Sequence, residues 1–404
     1  MRGYSIGLVS IAGLVFLLGP VNAARSDVFC ADVYGTGATM DDYLRTVPGG
    51  GQPGGPAYAF RMGMYEITNA QFAAFLNDAQ LDGGATGKGS NMYFQDDGRV
   101  RAAPGGPTLF RGWTEPSSWP VRYDVSAPLG QRWAVDLVNG MDMSSHPVWN
   151  VTWYGAAKFA NWLTLDQGLP SDQRTYAEGP AAADWHPATI STADWQTRDL
   201  NSAERQALVD NYRGFRLPMD DQASTASAFN EFYKAAAWDP DDQVNHAYGF
   251  GRDTIDYMDA NGAGLRPWWE LLPDDPFEAG IDPDTTPVGF YDGTLWQRSD
   301  WNWPDQTADF DTFQTRANEN AYGIYDLSGN LDEWAQDRWS DSDHRHAIRG
   351  DCWSGIEELS KRSLSSPEVG WEYLGFRVVQ VPEPATVVLL VIAGACIIRR
   401  ADRG

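Results

Sequence analysis

Positive charge is what this chain has least of. Its 404 residues include 30 Lys and Arg against 55 Asp and Glu, a formal net charge of −25. So acidic a surface releases no counterions from phosphates, which argues against nucleic acid as a partner. It suits instead a domain outside the cytoplasm that attracts divalent cations. Cysteine is scarce as well, at three residues, too few for a disulfide framework. Cys396 falls in a C-terminal apolar run, leaving Cys30 and Cys352 as a pair that an oxidising compartment could join. Five histidines are scattered, and no H-E-x-x-H, G-x-S-x-G, P-loop or dinucleotide fingerprint occurs. Core material is ample: 43% of residues are apolar and 18 are Trp, so the chain folds rather than staying disordered.

Both ends read as targeting segments. Met1-Arg2 precede the apolar stretch Ile6–Leu18 and the small-residue pattern Val21-Asn22-Ala23, a signal peptide over residues 1–23. At the other end Pro382-Glu383-Pro384 leads into the apolar run Ala385–Ile398 and the pair Arg399-Arg400. That order resembles the PEP-CTERM sorting signal of Gram-negative bacteria. The resemblance implies export to the cell envelope or outer surface, with an exosortase as processing partner. It also implies a membrane helix within residues 381–404, held by the Arg pair on the cytoplasmic side.

Residues 24–57 form a lead-in whose Pro48–Pro56 run, PGGGQPGGP, is too glycine-rich to pack. From Tyr58 the chain is patterned. A strand ending near Glu66 precedes a helix whose Thr68 and Gln71 make a capping box; Phe72, Phe75, Leu76 and Ala79 share one face. A polar stretch, Asp82 to Ser145, leads to a second helix with Thr152 as N-cap. Trp153, Ala156, Ala157, Ala160 and Leu163 form its buried stripe. Asn150-Val151-Thr152 is formally a glycosylation sequon, in competition with that cap. After another polar insert come a strand and turn at Gly214–Asp220 and a third helix in Phe229–Pro240, stopped before the proline. Asp241–Gln380 shows little helical periodicity and reads as loops and short strands. The fold class is α+β, with few helices, short strands and much irregular loop.

A series of motifs stands in order along residues 58–380. It runs Met64–Asn69, Pro147-Val148 with Asn150–Tyr154 and Phe159–Leu163, Phe215–Pro218, Tyr233–Ala236 and Tyr248–Gly251. Thr286–Gly289, Asn320–Asp337, Arg349–Trp353 and Gly375–Arg377 complete it. The series resembles the formylglycine-generating enzyme family, also called sulfatase-modifying factor domains. The resemblance implies a single domain over residues 58–380 with a C-type-lectin-like fold, the polar stretches being insertions.

In Asp326–Glu333, DLSGNLDE, two carboxylates flank a Gly-Asn turn. Calcium takes about six to eight hard oxygens, and a turn presents carbonyls well; the same acids equally serve to cap and solvate a turn. The family's calcium site maps onto the Asp326 side chain, the Gly329 and Leu331 carbonyls and the Glu333 side chain, with Asp at 326 where Asn is usual. The family's oxidases convert the cysteine of C-x-P-x-R peptides to formylglycine with copper(I) held by two thiolates, the soft ligands that ion prefers. Aligned on the family's R-G-G-S-W, Arg349–Trp353 places Cys352 at the Ser, and Gly355 and Ser360 at the two cysteines. Copper is therefore not expected. Cys352 is the single catalytic candidate, against readings as a small buried residue or a disulfide partner. His344 and His346 could join it in a metal set or belong to a solvated loop. Asp96-Asp97, Asp220-Asp221 and Asp241-Asp242 read as solvated acid, because adjacent side chains seldom point into one site.

The expectation is an exported domain without the paired catalytic cysteines, a calcium-stabilised binding or accessory module for a glycan or peptide. Aromatics such as Trp268, Trp269, Trp296, Trp301 and Trp303 would stack on the ligand or, on the plainer reading, fill core. The alternative is a formylglycine-generating-type oxidoreductase that activates sulfatases through an altered site. A third reading is a different enzyme on the same scaffold.

Overall fold

The computed structural model describes residues 39–114, 119–138, 140–262, 285–297 and 312–382. Helix Asn69–Asp82 starts where the Thr68 hydroxyl accepts the Gln71 amide at 3.3 Å and Gln71 Oε1 accepts the Thr68 amide at 2.9 Å. This is the expected capping box, and Phe72, Phe75, Leu76 and Ala79 are all buried. Helix Trp153–Asp166 begins at Thr152, whose hydroxyl accepts the Gly155 amide at 3.1 Å. Its apolar stripe is buried, but so is every residue from Trp153 to Thr164. The helix is central rather than amphipathic. Its polar side chains tolerate burial because each has a partner. Lys158 Nζ lies 2.9 Å from Glu178, and Asn161 Nδ2 donates to Tyr176 O and Glu178 Oε1 at 2.9 and 2.8 Å. Phe159 stacks on Phe72 at 5.8 Å and meets Phe376 edge-on at 5.2 Å, locking both helices to the last motif.

One four-stranded sheet runs in the order Leu44–Val47, Phe60–Gly63, Val379–Gln380, Phe215–Arg216, antiparallel throughout. Leu44 and Val47 are buried, so the folded unit begins inside the segment expected to be a lead-in. The Pro48–Pro56 run is also tied down. Buried Lys234 donates to the carbonyls of Pro48, Gly50 and Pro56 at 2.6, 2.9 and 2.8 Å. Gly50 and Gly51, at φ 72° and 81°, let the backbone fold around that ammonium.

The other four-stranded sheet has the order Ser363–Ser365, Asp343–Arg349, Asp332–Ser340, Leu374–Gly375, with the last pair parallel. At nine residues Asp332–Ser340 is longer than the short strands expected there. The register of its hairpin with Asp343–Arg349 shifts on both sides of Arg338, which pairs with His346. The third expected helix is Glu231–Ala237, capped by Asn230. A further helix, Ser202–Asn211, lies in the second polar insert, where Asn201 and Glu204 form a capping box.

Membrane attachment through a C-terminal helix needs correction. Among the described residues no helix is long and apolar enough to cross a membrane. The two long core helices have 14 residues each, or roughly 21 Å against a hydrocarbon core of about 30 Å. Residues 383–404, on which most of that expectation fell, lie outside the described residues, as does the signal segment 1–23.

Candidate functional site

The motifs that stand apart in the sequence meet around the Asn320–Asp337 segment. Asn320 Oδ1 accepts the amides of Tyr322 and Ile324 at 2.9 and 3.1 Å, which opens the turn. The chain then passes through left-handed residues at Asp326, Gly329 and Asn330, with φ of 55°, 92° and 72°. A Cβ at Gly329 would lie 2.6 Å from the Asn261 carbonyl oxygen, so only glycine fits. Asn330 Nδ2 donates to Glu66 at 3.1 Å, its Oδ1 accepts the Thr286 amide at 3.0 Å and its carbonyl accepts the Trp353 amide at 3.0 Å. One asparagine thereby ties together Met64–Asn69, Thr286–Gly289 and Arg349–Trp353. Arg377 closes the cluster. Its Nε and Nη2 each lie 2.6 Å from a Glu333 oxygen, and Nη2 also donates to the Asp326 carbonyl at 3.0 Å.

The four expected calcium positions lie in this cluster. Asp326 Oδ2 accepts the Gly289 amide at 2.6 Å and Oδ1 accepts from Asn318 Nδ2 at 3.1 Å. The Gly329 amide donates to Gly350 O at 2.8 Å, and the Leu331 amide to Glu66 Oε1 at 3.2 Å. Three buried carboxylates, Glu66, Asp326 and Glu333, face one guanidinium, Arg377. Burial first, then the charges of Asp326 and Glu333, push Glu66 well above the usual carboxylate range. Burial likewise raises Asp326 and Glu333. Surplus buried negative charge is what a divalent cation neutralises. Asn318 Oδ1 beside Asp326 is a buried oxygen that no donor meets. On charge and donor chemistry these residues fit a hard cation. The engagement of Glu333 with Arg377 was not foreseen; each carboxylate oxygen keeps a second lone pair. Among the described residues, the group of three acidic or imidazole ligands that does converge within 4.8 Å is Asp239, Asp242 and His246, elsewhere in the fold.

Cys352 sits in the turn after the long hairpin. It is buried, with Sγ 3.0 Å from Ser354 Oγ. Burial, then the neighbouring Asp332, push its thiol up to about 11. A thiol raised this far is mostly protonated at neutral pH. The Gly355 amide donates to the Cys352 carbonyl at 3.0 Å, and Ser360 is half-buried. His346 is buried against Trp153, with ring centroids 4.2 Å apart, while His344 is exposed. Neither joins Cys352 in a converging ligand group. Cys352 is a free thiol; Cys30 and Cys396 lie outside the described residues.

Other expectations divide. Asp96, Asp97, Asp241 and Asp242 are exposed as expected. Asp220 is not: it is fully buried, 2.8 Å from both Arg349 and Arg362. Burial alone would raise its pKa, but the two guanidinium groups hold it below the usual range. Asn150 is 8% exposed and its amide donates to Arg111 O at 2.8 Å, so the sequon is structural. Trp296 stacks on Phe290 at 5.5 Å and donates to its carbonyl at 3.0 Å, which is the plainer core role. Trp268, Trp269, Trp301 and Trp303 lie outside the described residues. Accessible aromatics gather elsewhere. Trp113, Trp119 and Trp149 touch in turn, with centroids 5.2 and 5.4 Å apart, and the Arg111 guanidinium lies 5.8 Å from the first two. Trp371, 46% exposed, stacks on Tyr373 at 5.8 Å, and its carbonyl accepts the Asn150 amide at 3.0 Å. The Tyr373 carbonyl accepts the Asp332 amide at 2.9 Å, which sets the strip beside the Cys352 turn.

Residues 56–382 match the family described as the sulfatase-modifying factor enzyme 1-like domain. No curated protein matches the chain. Among solved structures it is similar to the crystal structure of CarF, at 18% identity over 80% of this chain and 87% of that one, with a TM-score of 0.43. It is also similar to Treponema denticola variable protein 1, at 17% identity over 84% and 95%, with a TM-score of 0.40. PvdO from Pseudomonas aeruginosa matches at 18% identity over 84% and 91%, with a TM-score of 0.32. With its motifs converging on one cluster and the family match spanning most of its length, this chain belongs to the sulfatase-modifying factor enzyme 1-like domain family.

Proposed function

We propose that the chain is an exported binding or accessory module of this family rather than an oxidase. One observation carries the reading. The turn aligned with the family's copper site carries Gly355 and Ser360 at the two cysteine positions, and its single sulfur, Cys352, falls at the family's Ser and is buried with a raised pKa. Two-thiolate copper chemistry has no ligands there. Two aromatic groups, Trp113-Trp119-Trp149 and Trp371-Tyr373, the second beside that turn, support a binding role, because such faces stack on sugar rings and peptide side chains. Calcium held by Asp326, Glu333 and the Gly329 and Leu331 carbonyls would neutralise the buried acid cluster and stiffen the signature turn.

The experiment incubates the purified chain with a C-x-P-x-R peptide, copper(I) and oxygen, and reads the peptide by mass. No conversion of its cysteine to formylglycine is expected. On glycan and peptide arrays the same chain should be retained on a subset of spots, with retention lost in Trp371→Ala. Formylglycine formation above the rate without protein would overturn the reading.

A further inference from the structure

Five arginines are buried among the described residues: Arg205, Arg216, Arg338, Arg349 and Arg377. Four of them have a carboxylate oxygen within 2.8 Å: Arg205 on Asp199 and Asp337, Arg216 on Glu231, Arg349 on Asp220, Arg377 on Glu333. Arg338 is the exception. It is 4% exposed, has no carboxylate within 4.0 Å among the described residues, and its Nε and Nη1 meet no acceptor. Two acids act on it through space, Asp199 and Asp341; Asp199 accepts the Arg338 main-chain amide at 3.3 Å but gives its other oxygen to Arg205 at 2.6 Å. What supports the guanidinium is the face of Trp195, 4.2 Å away. A cation–π contact alone is a weak substitute for the ion pairs its neighbours enjoy.

The surroundings of Arg338 form a cavity of about 150 Å³. Its walls include Trp153, Tyr154, Trp185, Trp195 and His346, all buried, and the lining also takes in half-buried Ala183 and exposed Gln196 and His344. Two of the indole N–H groups are already spent, Trp153 on the Ala335 carbonyl and Trp185 on the Gly179 carbonyl, so those rings offer apolar faces. The His346 ring is fixed by Nδ1, 3.1 Å from the Gln336 carbonyl; a carbonyl only accepts, so Nδ1 carries the proton. Arg338 and His346 are direct cross-strand partners, and the ladder register shifts on both sides of Arg338. Bulges of this kind re-aim a side chain, and they recur beside functional sites.

We infer that this cavity is a binding site for a small carboxylate, seated between aromatic walls with its oxygens on the Arg338 guanidinium. The fork of a guanidinium matches the planar carboxylate group with two parallel N–H···O bonds, and the aromatic faces receive the ring that carries it. The resident positive charge selects against organic cations, which an aromatic cage alone would attract. The volume suits a compact acid, or the terminal uronate of an acidic glycan. This site is separate from the Cys352 turn, so its failure would leave the proposed function standing.

Sodium benzoate titrated into the purified chain at pH 7, followed by tryptophan fluorescence and calorimetry, tests the inference. One saturable site is expected, with a Kd on the order of 1 mM or tighter. Benzylammonium should bind at least about tenfold more weakly, since a reversed charge meets Arg338 instead of pairing with it. Arg338→Met should weaken benzoate about tenfold or more with an unchanged circular dichroism spectrum. Ala183→Phe, which takes up cavity volume and keeps Arg338, should abolish binding and covers the case in which Arg338→Met does not fold. Digalacturonate in parallel separates the two sources: tighter uronate binding assigns a glycan, tighter benzoate a free acid. No saturable response to either acid would overturn the inference. So would benzylammonium equalling benzoate, or a folded Arg338→Met or Ala183→Phe binding as the parent does.

Discussion

Asp332 shows how little a residue's letter says about its ionisation. In the sequence it is one acid in a run of polar residues. In the fold it is buried beside Cys352, and burial first, then Asp351 and Glu333, push its pKa up to about 8. Asp351 is raised to about 6 for the same leading reason. A raised carboxyl holds its proton more tightly folded than unfolded. Its contribution is therefore complete below the ordinary value near 3.8 and is lost as pH climbs towards about 8. Urea unfolding should accordingly show lower stability at pH 8 than at pH 5. Asp332→Asn should flatten that slope and raise stability at pH 8 by about 1–3 kcal/mol. A variant with the parent's slope would show that the strain lies elsewhere. The opposite case is Asp220, whose two guanidinium partners outweigh the same burial.

Among the elements, the helix starts are the parts that local chemistry decides. At Thr68 and Gln71 two reciprocal hydrogen bonds close within four residues of chain, which is why the pattern could be read directly. Thr68→Ala should cost about 1 kcal/mol in urea unfolding. Gln71→Ala should cost a similar amount, and the double variant less than the sum, because each change breaks the same box. Strict additivity would mean the two bonds act independently. The same signature at Asn201 and Glu204 opens a helix inside a segment that composition marked as polar insert. There the local signal was present and the surrounding polarity masked it. The all-round burial of Trp153–Thr164 had no such signal. Lys158, Asn161 and Thr164 look like a solvent face until Glu178, Tyr176 and Phe215 are brought to them. The shifts around Arg338 are equally silent in sequence, since a bulge is a relation between two strands rather than a property of one.

At the scale of the whole molecule, the acid cluster of Glu66, Asp326 and Glu333 joins the first sheet to the signature turn and the last motif. Calcium there would act as a tie between distant parts of the chain, so its removal should be felt globally. Excess chelator is expected to lower the melting temperature by on the order of 5 °C or more, calcium but not magnesium restoring it. Glu333→Gln should lose the chelator response. An unchanged melting curve would remove calcium from the account and leave protons to neutralise Glu66.

The order of the motifs, the helix starts, the α+β class and the absence of a thiol pair after Arg349 were all decided by sequence. Each is carried by residues adjacent or one helical turn apart, where backbone hydrogen bonding and side-chain spacing act without help. What the tertiary structure alone decided is which of those pieces meet. Glu66 reaches Asn330 across 264 residues, Arg377 takes Glu333 across 44, and Asp220 is buried under Arg349 and Arg362 instead of standing in water. Charges in a low-dielectric interior are governed by their nearest opposite charge, and that neighbour is set by the assembled fold. The same rule singles out Arg338, an unremarkable arginine in sequence and the only buried guanidinium among the described residues without a carboxylate beside it.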